Sequence, residues 1–152
     1  MDKDQKRILI IQTAFIGDVI LATSLIEFFR AEFPGAKIDF VTKHTNQLIL
    51  DGHPAVRRLI LWDKDKNKLS NLRKTIKEIR EERYDYLINT HRFGSSGLMS
   101  FLARANEKIG YDKNPFSFSY DRKVKHVIGN GLHEVDRLMN LVEHISEKKY
   151  KP

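Results

Sequence analysis

ILIIQTAFIGDVILATSLIEFF, residues Ile8 to Phe29, decides the fold. It opens with four aliphatic residues in a row, Ile8 to Ile11, a pattern that suits a strand buried on both faces of a parallel sheet. After a short loop, apolar residues recur at Val19, Ala22, Ile26, Phe29 and Phe33 with helical spacing. Strand, loop and helix in that order begin a β-α-β unit. One carboxylate, Asp18, stands beside Gly17 where the strand hands over to the helix.

The unit repeats along the chain. Pro34-Gly35 stops the first helix, and AKIDFVT (Ala36 to Thr42) reads as a second strand, followed by a short helical piece from Asn46 to Leu50. VRRLILWD (Val56 to Asp63) is a third strand, leading through a Lys-rich connection to a helix with Leu69, Leu72, Ile76 and Ile79 on one stripe. YDYLINT (Tyr84 to Thr90) is the fourth, and the loop HRFGSSG opens a helix carrying Leu98, Leu102 and Ala105. EKIGYD (Glu107 to Asp112) gives a short fifth strand. Lys113 to Gly131 breaks the pattern with Asn114-Pro115, the aromatics Phe116, Phe118 and Tyr120, and a short strand in KVKHVIG (Lys123 to Gly129). A last helix begins near Leu132 and turns Val135, Leu138, Val142 and Ile145 inward. Alternation of this kind predicts an α/β fold, a Rossmann-like, doubly wound, mainly parallel sheet with helices on both faces.

Composition narrows the classes. At 152 residues the chain suits one domain, residues 1–152. No apolar run approaches the roughly 18 to 20 residues of a membrane span, and the charged start, Met1 to Arg7, lacks the features of a secretory signal. The cytoplasm is the expected compartment. The absence of cysteine excludes disulfides, zinc ribbons and thiol nucleophiles. With 27 Lys and Arg against 20 Asp and Glu, the net charge of +7 favours an anionic partner.

Ligands of open parallel sheets bind at the carboxyl ends of the strands, where the loop TAFIGD lies. It is neither a dinucleotide fingerprint nor a phosphate-binding P-loop, because Gly17 stands alone and no G-x-x-x-x-G-K-[ST] occurs. Asp18 has two compatible readings. As a first-turn acid it stabilises the helix by roughly 0.3–1 kcal/mol; as a carboxylate facing a cleft, with Gly17 allowing a tight turn, it takes a proton from a substrate hydroxyl. Thr13 would line the same cleft. Arg92, beside a helix start at Gly94 to Ser96, suits a carboxylate or phosphate held by a guanidinium fork and backbone N–H groups, with Ser95 and Ser96 as contacts or simple caps. His44 and His53 fall in loops after strands, too isolated to make a metal site without carboxylate partners, and no metal is expected.

The stretch ILIIQTAFIGDVILATSLIEFFRAEFPGAKIDFVT resembles the opening of the heptosyltransferases of lipopolysaccharide core synthesis, glycosyltransferase family 9, whose first loop carries an Ile/Met-Gly-Asp-Val/Ala motif. DGHPAVRRLILWDK, YDYLINTHRFGSSGLMSFLARANEKIGYDK and HEVDRLMNLVE are similar to further family segments in the same order. The resemblance implies the N-terminal, acceptor-binding half of a two-domain GT-B fold, with the donor-binding domain outside this chain. It implies an inverting transfer of heptose from ADP-heptose to the lipopolysaccharide inner core, with Asp18 as base. It also adds His133 and Arg137 to the acceptor site, and it implies no bound cofactor, the ADP-heptose donor being expected in the other domain. The partners are then an anionic glycolipid and a nucleotide sugar. KDKNK (Lys64 to Lys68) and the outer face of the third helix (Arg73, Lys74, Lys77, Arg80) are solvated surface or rest peripherally against the inner membrane. An interdomain face left uncovered predicts an apolar patch and self-association.

Two alternatives come from other classes. A basic nucleic-acid-binding module would use Phe116, Phe118 and Tyr120 beside Arg122 and Lys123, but no recognition motif accompanies them and no nucleic acid is expected. A non-catalytic interaction protein would keep half a GT-B fold without turnover.

Overall fold

The computed structural model describes residues 5–125 and 134–146. The elements run β1 (Arg7–Ile11), α1 (Ile16–Glu32), β2 (Lys37–Lys43), α2 (Gln47–Leu50), β3 (Val56–Trp62), α3 (Lys68–Ile79), β4 (Arg83–Asn89), α4 (Gly94–Leu102), β5 (Arg104–Tyr111), β6 (Arg122–Val124) and α5 (Glu134–Val142). All six strands are parallel, in the order β3-β2-β1-β4-β5-β6. This is the doubly wound order whose direction of winding reverses between β1 and β4, and the reversal opens a crevice at the carboxyl ends of those two strands.

The unbroken apolar run of β1 has its explanation in this central place. Ile8 and Ile10 point into a core built with α1 and α5, through Val19, Ala22, Phe29, Leu138 and Val142. Leu9 and Ile11 point into a second core on the opposite face, with Leu72, Ile76 and Ile79 of α3 and Met99 of α4. Both faces are covered, so no position of the strand has reason to be polar.

At the amino ends of the strands a polar network ties four of them together. Asp39 of β2 is fully buried; its carboxylate accepts from Arg57 Nε at 3.0 Å and Nη2 at 2.6 Å, and from the Tyr84 hydroxyl at 2.6 Å. Burial, then this carboxylate, drives the Tyr84 phenol far above its usual pKa, so it stays a donor. Arg57 continues to Glu82 at 3.1 Å, and Glu82 also pairs with Arg7 of β1.

The structure corrects several sequence expectations. Ala105 belongs to β5 and not to α4, because pairing with β4 starts at Arg83 and Arg104 and draws residues 104–106 into the sheet. Leu69 is 80% exposed, and the buried stripe of α3 begins at Leu72. Of the expected strand KVKHVIG, Lys123 and Val124 fall in β6, which starts one residue earlier at Arg122; residues 126–129 and the expected helix start at Leu132 lie outside the described residues. No described helix is long and apolar enough to cross a membrane.

Candidate active-site cleft

A cleft of about 440 Å³ opens at the winding reversal, lined by Gln12, Ala14, Phe15, Asp18 and Leu21 from the first loop and α1, by Thr90 to Phe93 after β4, and by Tyr111, Glu134, Arg137 and Leu138. Four separate regions of sequence meet there.

The first loop is braced from beneath. Gln12, buried at the end of β1, donates from Nε2 to Thr90 Oγ1 at 2.8 Å and accepts from Ala14 N–H at 2.9 Å. Thr90 in turn donates to the Ile11 carbonyl at 2.8 Å, and Asn46 donates to the Ala14 carbonyl at 3.0 Å. This bracing positions Asp18. Its Oδ2 accepts from the Phe15 N–H at 3.2 Å, satisfying one orphan donor at the start of α1, and the residue also borders the cleft. Both sequence readings of Asp18, cap and cleft carboxylate, therefore describe the same side chain.

Gly17 does not make the turn. It sits inside the first turn of α1 with ordinary helical backbone, and the extended Phe15 (φ −79°, ψ 165°) bends the chain instead. A Cβ at Gly17 would meet no atom within 4 Å, so the helix end above Asp18 is open.

After β4, Arg92 is exposed at the cleft wall with its guanidinium 5.5 Å from the centre of the Phe93 ring. His91 packs edge-on against Phe93 at 4.5 Å, and its Nδ1 lies 3.2 Å from Thr13 Oγ1. Burial is the main cause, with Lys64 and Arg92 adding, of a His91 pKa lowered to about 4; Asp18 opposes the shift. The imidazole is neutral at pH 7 beside the Asp18 carboxylate. Tyr111, also buried, has its phenol pushed well up by burial and by Glu134.

Arg137 reaches the same cleft from α5, ion-paired with Glu134, while its Nε is buried without a hydrogen-bond partner. Of the expected residues, then, Asp18, Arg92 and Arg137 share the cleft. Thr13 is buried and not part of the cleft lining, its hydroxyl in hydrogen-bond contact with His91. Ser96 is fully buried and outside the cleft lining; it donates to the Phe93 carbonyl at 2.9 Å and accepts from Asn89 at 3.3 Å, so its hydroxyl serves bonds within the fold. Ser95 is partly exposed in the first turn of α4, outside the cleft lining. His133 lies outside the described residues.

Sequence reasoning missed Gln12 and Glu134; a glutamine closing an apolar strand was the one signal for the first. His44, expected to stand alone, has carboxylates on both sides, with Nδ1 3.5 Å from Asp63 and Nε2 3.9 Å from Asp65. These three residues could supply one ligand atom each to an ion, but Lys64 lies between the two aspartates in sequence and feels the charges of Lys43 and Lys68. That crowding of cations works against a metal.

Among the exposed large apolar side chains of the described residues are Phe15, Ile16, Leu48, Leu69 and Phe93. Each follows the carboxyl end of one of β1 to β4 in sequence, and Phe15 and Phe93 line the cleft itself.

The family model for glycosyltransferase family 9 (heptosyltransferase) matches residues 72–152, just over half of the chain. The chain belongs to this family. Lipopolysaccharide heptosyltransferase 3 of Escherichia coli is 27% identical over 113 residues, which are 72% of this chain and 33% of that protein. A crystal structure of a family 9 glycosyl transferase from Veillonella parvula superposes with a TM-score of 0.85 at 25% identity, covering 98% of this chain and 44% of that one. Heptosyltransferase WaaC of Escherichia coli, solved with ADP, gives 0.79 at 23% identity, covering 96% and 49%. This family 9 chain thus spans a third to a half of these relatives' lengths. Its parallel sheet and flanking helices are the Rossmann-like half of a GT-B fold, as the resemblance implied.

Proposed function

We propose that this chain is the acceptor-binding domain of an inverting glycosyltransferase that moves heptose from ADP-heptose to the inner core of lipopolysaccharide. One observation carries the reading: Asp18 shares a single cleft with Arg92 and Arg137, at the winding reversal of the sheet. A base and two guanidinium groups in one pocket suit an acceptor that bears both a reactive hydroxyl and negative charges.

In this mechanism the acceptor hydroxyl lies within about 2.6–3.2 Å of the Asp18 oxygen not engaged by Phe15. Its oxygen attacks the anomeric carbon from the face opposite the leaving group, the bond from that carbon to the diphosphate oxygen breaks, and ADP departs with the electron pair. Asp18 receives the proton, and the configuration inverts. Arg92 and Arg137 hold carboxylate or phosphate groups of the acceptor, while neutral His91 adds a hydrogen-bonding wall that puts no further charge in the pocket. The ADP in the WaaC structure and the family membership support an ADP-linked donor; its binding and the stabilisation of departing ADP fall to a second lobe in this reading.

The test is heptose transfer by the full-length protein. Asp18→Asn should lower kcat by about 10²–10⁴-fold, and Arg137→Ala should raise the acceptor KM with a smaller effect on kcat. Activity of Asp18→Asn within about threefold of the parent would reject the base.

A further inference from the structure

Away from the cleft, three phenylalanines form an exposed cluster between α4 and the loop before β6. Phe101 lies 5.9 Å from Phe116 and 5.6 Å from Phe118, and the latter two are 6.0 Å apart. Phe118 is 67% and Phe101 42% exposed, so aromatic surface that could have been buried faces solvent.

Cations surround the cluster. Lys108 of β5 donates from Nζ to the Phe101 carbonyl at 3.0 Å. Lys123 of β6 pairs with Gly110, two residues beyond Lys108, and so lies on the same sheet face. Arg80 donates to the Leu102 carbonyl, and Arg104 to the Arg80 carbonyl at 2.7 Å. Arg73, Lys74 and Lys77, exposed on α3, extend the positive surface on the same side of the sheet. Asp121 accepts from the Lys108 N–H at 2.8 Å, and Glu78 and Glu81 lie beside Lys77 and Arg80 in sequence, so cations outnumber carboxylates in this group.

We infer that the Phe101–Phe116–Phe118 cluster and its cations dock on an anionic lipid surface. Aromatic rings favour the boundary between headgroups and acyl chains, and Lys and Arg around them are attracted to anionic headgroups. A protein partner would be expected to match the cations with specific carboxylates, whereas a bilayer needs only the mixture of greasy centre and positive surround seen here. The last described helix, α5, packs on the opposite face of the sheet and does not compete for the patch. The orientation also serves the cleft: α4 begins beside it at Phe93 and ends at Leu102, next to Phe101, a nine-residue helix of about 14 Å.

The experiment measures sedimentation of the full-length protein with vesicles, without substrate, so that its outcome is separate from catalysis. Vesicles of equal parts phosphatidylcholine and phosphatidylglycerol are compared with phosphatidylcholine alone. The parent should bind the anionic vesicles, Phe101→Ser/Phe118→Ser should bind at least about tenfold more weakly, and Lys123→Gln and Arg104→Gln each about fivefold more weakly. The charge variants alter exposed side chains, so they report even if the aromatic double variant folds poorly, which its melting curve reveals. Unchanged binding by the charge variants, equal binding to neutral vesicles, or loss of a concentration-dependent dimer as the one effect of the aromatic variant would overturn the inference.

Discussion

The Phe15 N–H donates to Asp18 Oδ2 at 3.2 Å, so the carboxylate at the cleft is also the group that ties off the start of α1. The two duties separate by substitution. Asp18→Asn keeps an oxygen for Phe15 and should leave the melting temperature nearly unchanged while abolishing most transfer activity. Asp18→Ala should lose the same activity and about 0.5–1 kcal/mol of stability in addition. Thermal denaturation of both variants beside the transfer assay tests the distinction.

His91 makes stability fall in mild acid. Its pKa in the folded protein is lowered to about 4 from 6.5, so above pH 6.5 neither the folded nor the unfolded state carries the proton. As pH drops from 6.5 towards 4 the unfolded chain takes up a proton that the folded protein refuses, and stability is lost across that window. His91→Gln, which cannot titrate, should show a flatter melting temperature between about pH 7 and pH 5 than the parent. Equal slopes would contradict the assignment.

Gly97 is where the loop after β5 meets α4. A Cβ there would lie 2.1 Å from Asn114 Oδ1 and 2.9 Å from the Phe116 ring. Asn114 is buried and holds the cleft loop, donating to the His91 and Phe93 carbonyls at 3.1 Å each. Gly97→Ala should therefore cost about 2–4 kcal/mol and unseat the cleft loop, visible in denaturant unfolding and in a raised acceptor KM.

Asp39 should be the most sensitive buried polar position far from the cleft. Asp39→Ala leaves Arg57 and Tyr84 without their shared acceptor and should destabilise by about 3–5 kcal/mol in urea unfolding. Tyr84→Phe, which removes one donor and keeps the ion pair, should cost less, about 1–2 kcal/mol.

Local signals in the sequence predicted the elements well, because the Ile8–Ile11 run and the helical periodicity of α1 are properties of neighbouring residues. That Asp18, Arg92 and Arg137 border one cleft was also legible, the first two from their places after parallel strands and the third from family resemblance. What escaped depends on contacts distant in sequence. Ala105 was drawn into β5 by pairing with β4, and Ser96, polar in a glycine-rich loop, gives its hydroxyl to Phe93 inside the fold. His44 meets the carboxylates of Asp63 and Asp65 because β2 and β3 lie side by side. Gly17 shows a subtler limit: a glycine beside a helix start suggested a turn, while the bend falls at Phe15.

The sheet ends on β3 at one side and on β6 at the other. Among the described residues, β3 carries Arg57 and Arg58 near its start, both held in ion pairs with Asp39, Glu82 and Glu81, and β6 is three residues long with Arg122 and Lys123 in it. A neighbouring strand laid along β3 would have to fit beside side chains already locked into that network, and β6 gives it only a short, cationic length to pair with. Each described border of the sheet thus discourages the addition of a further strand.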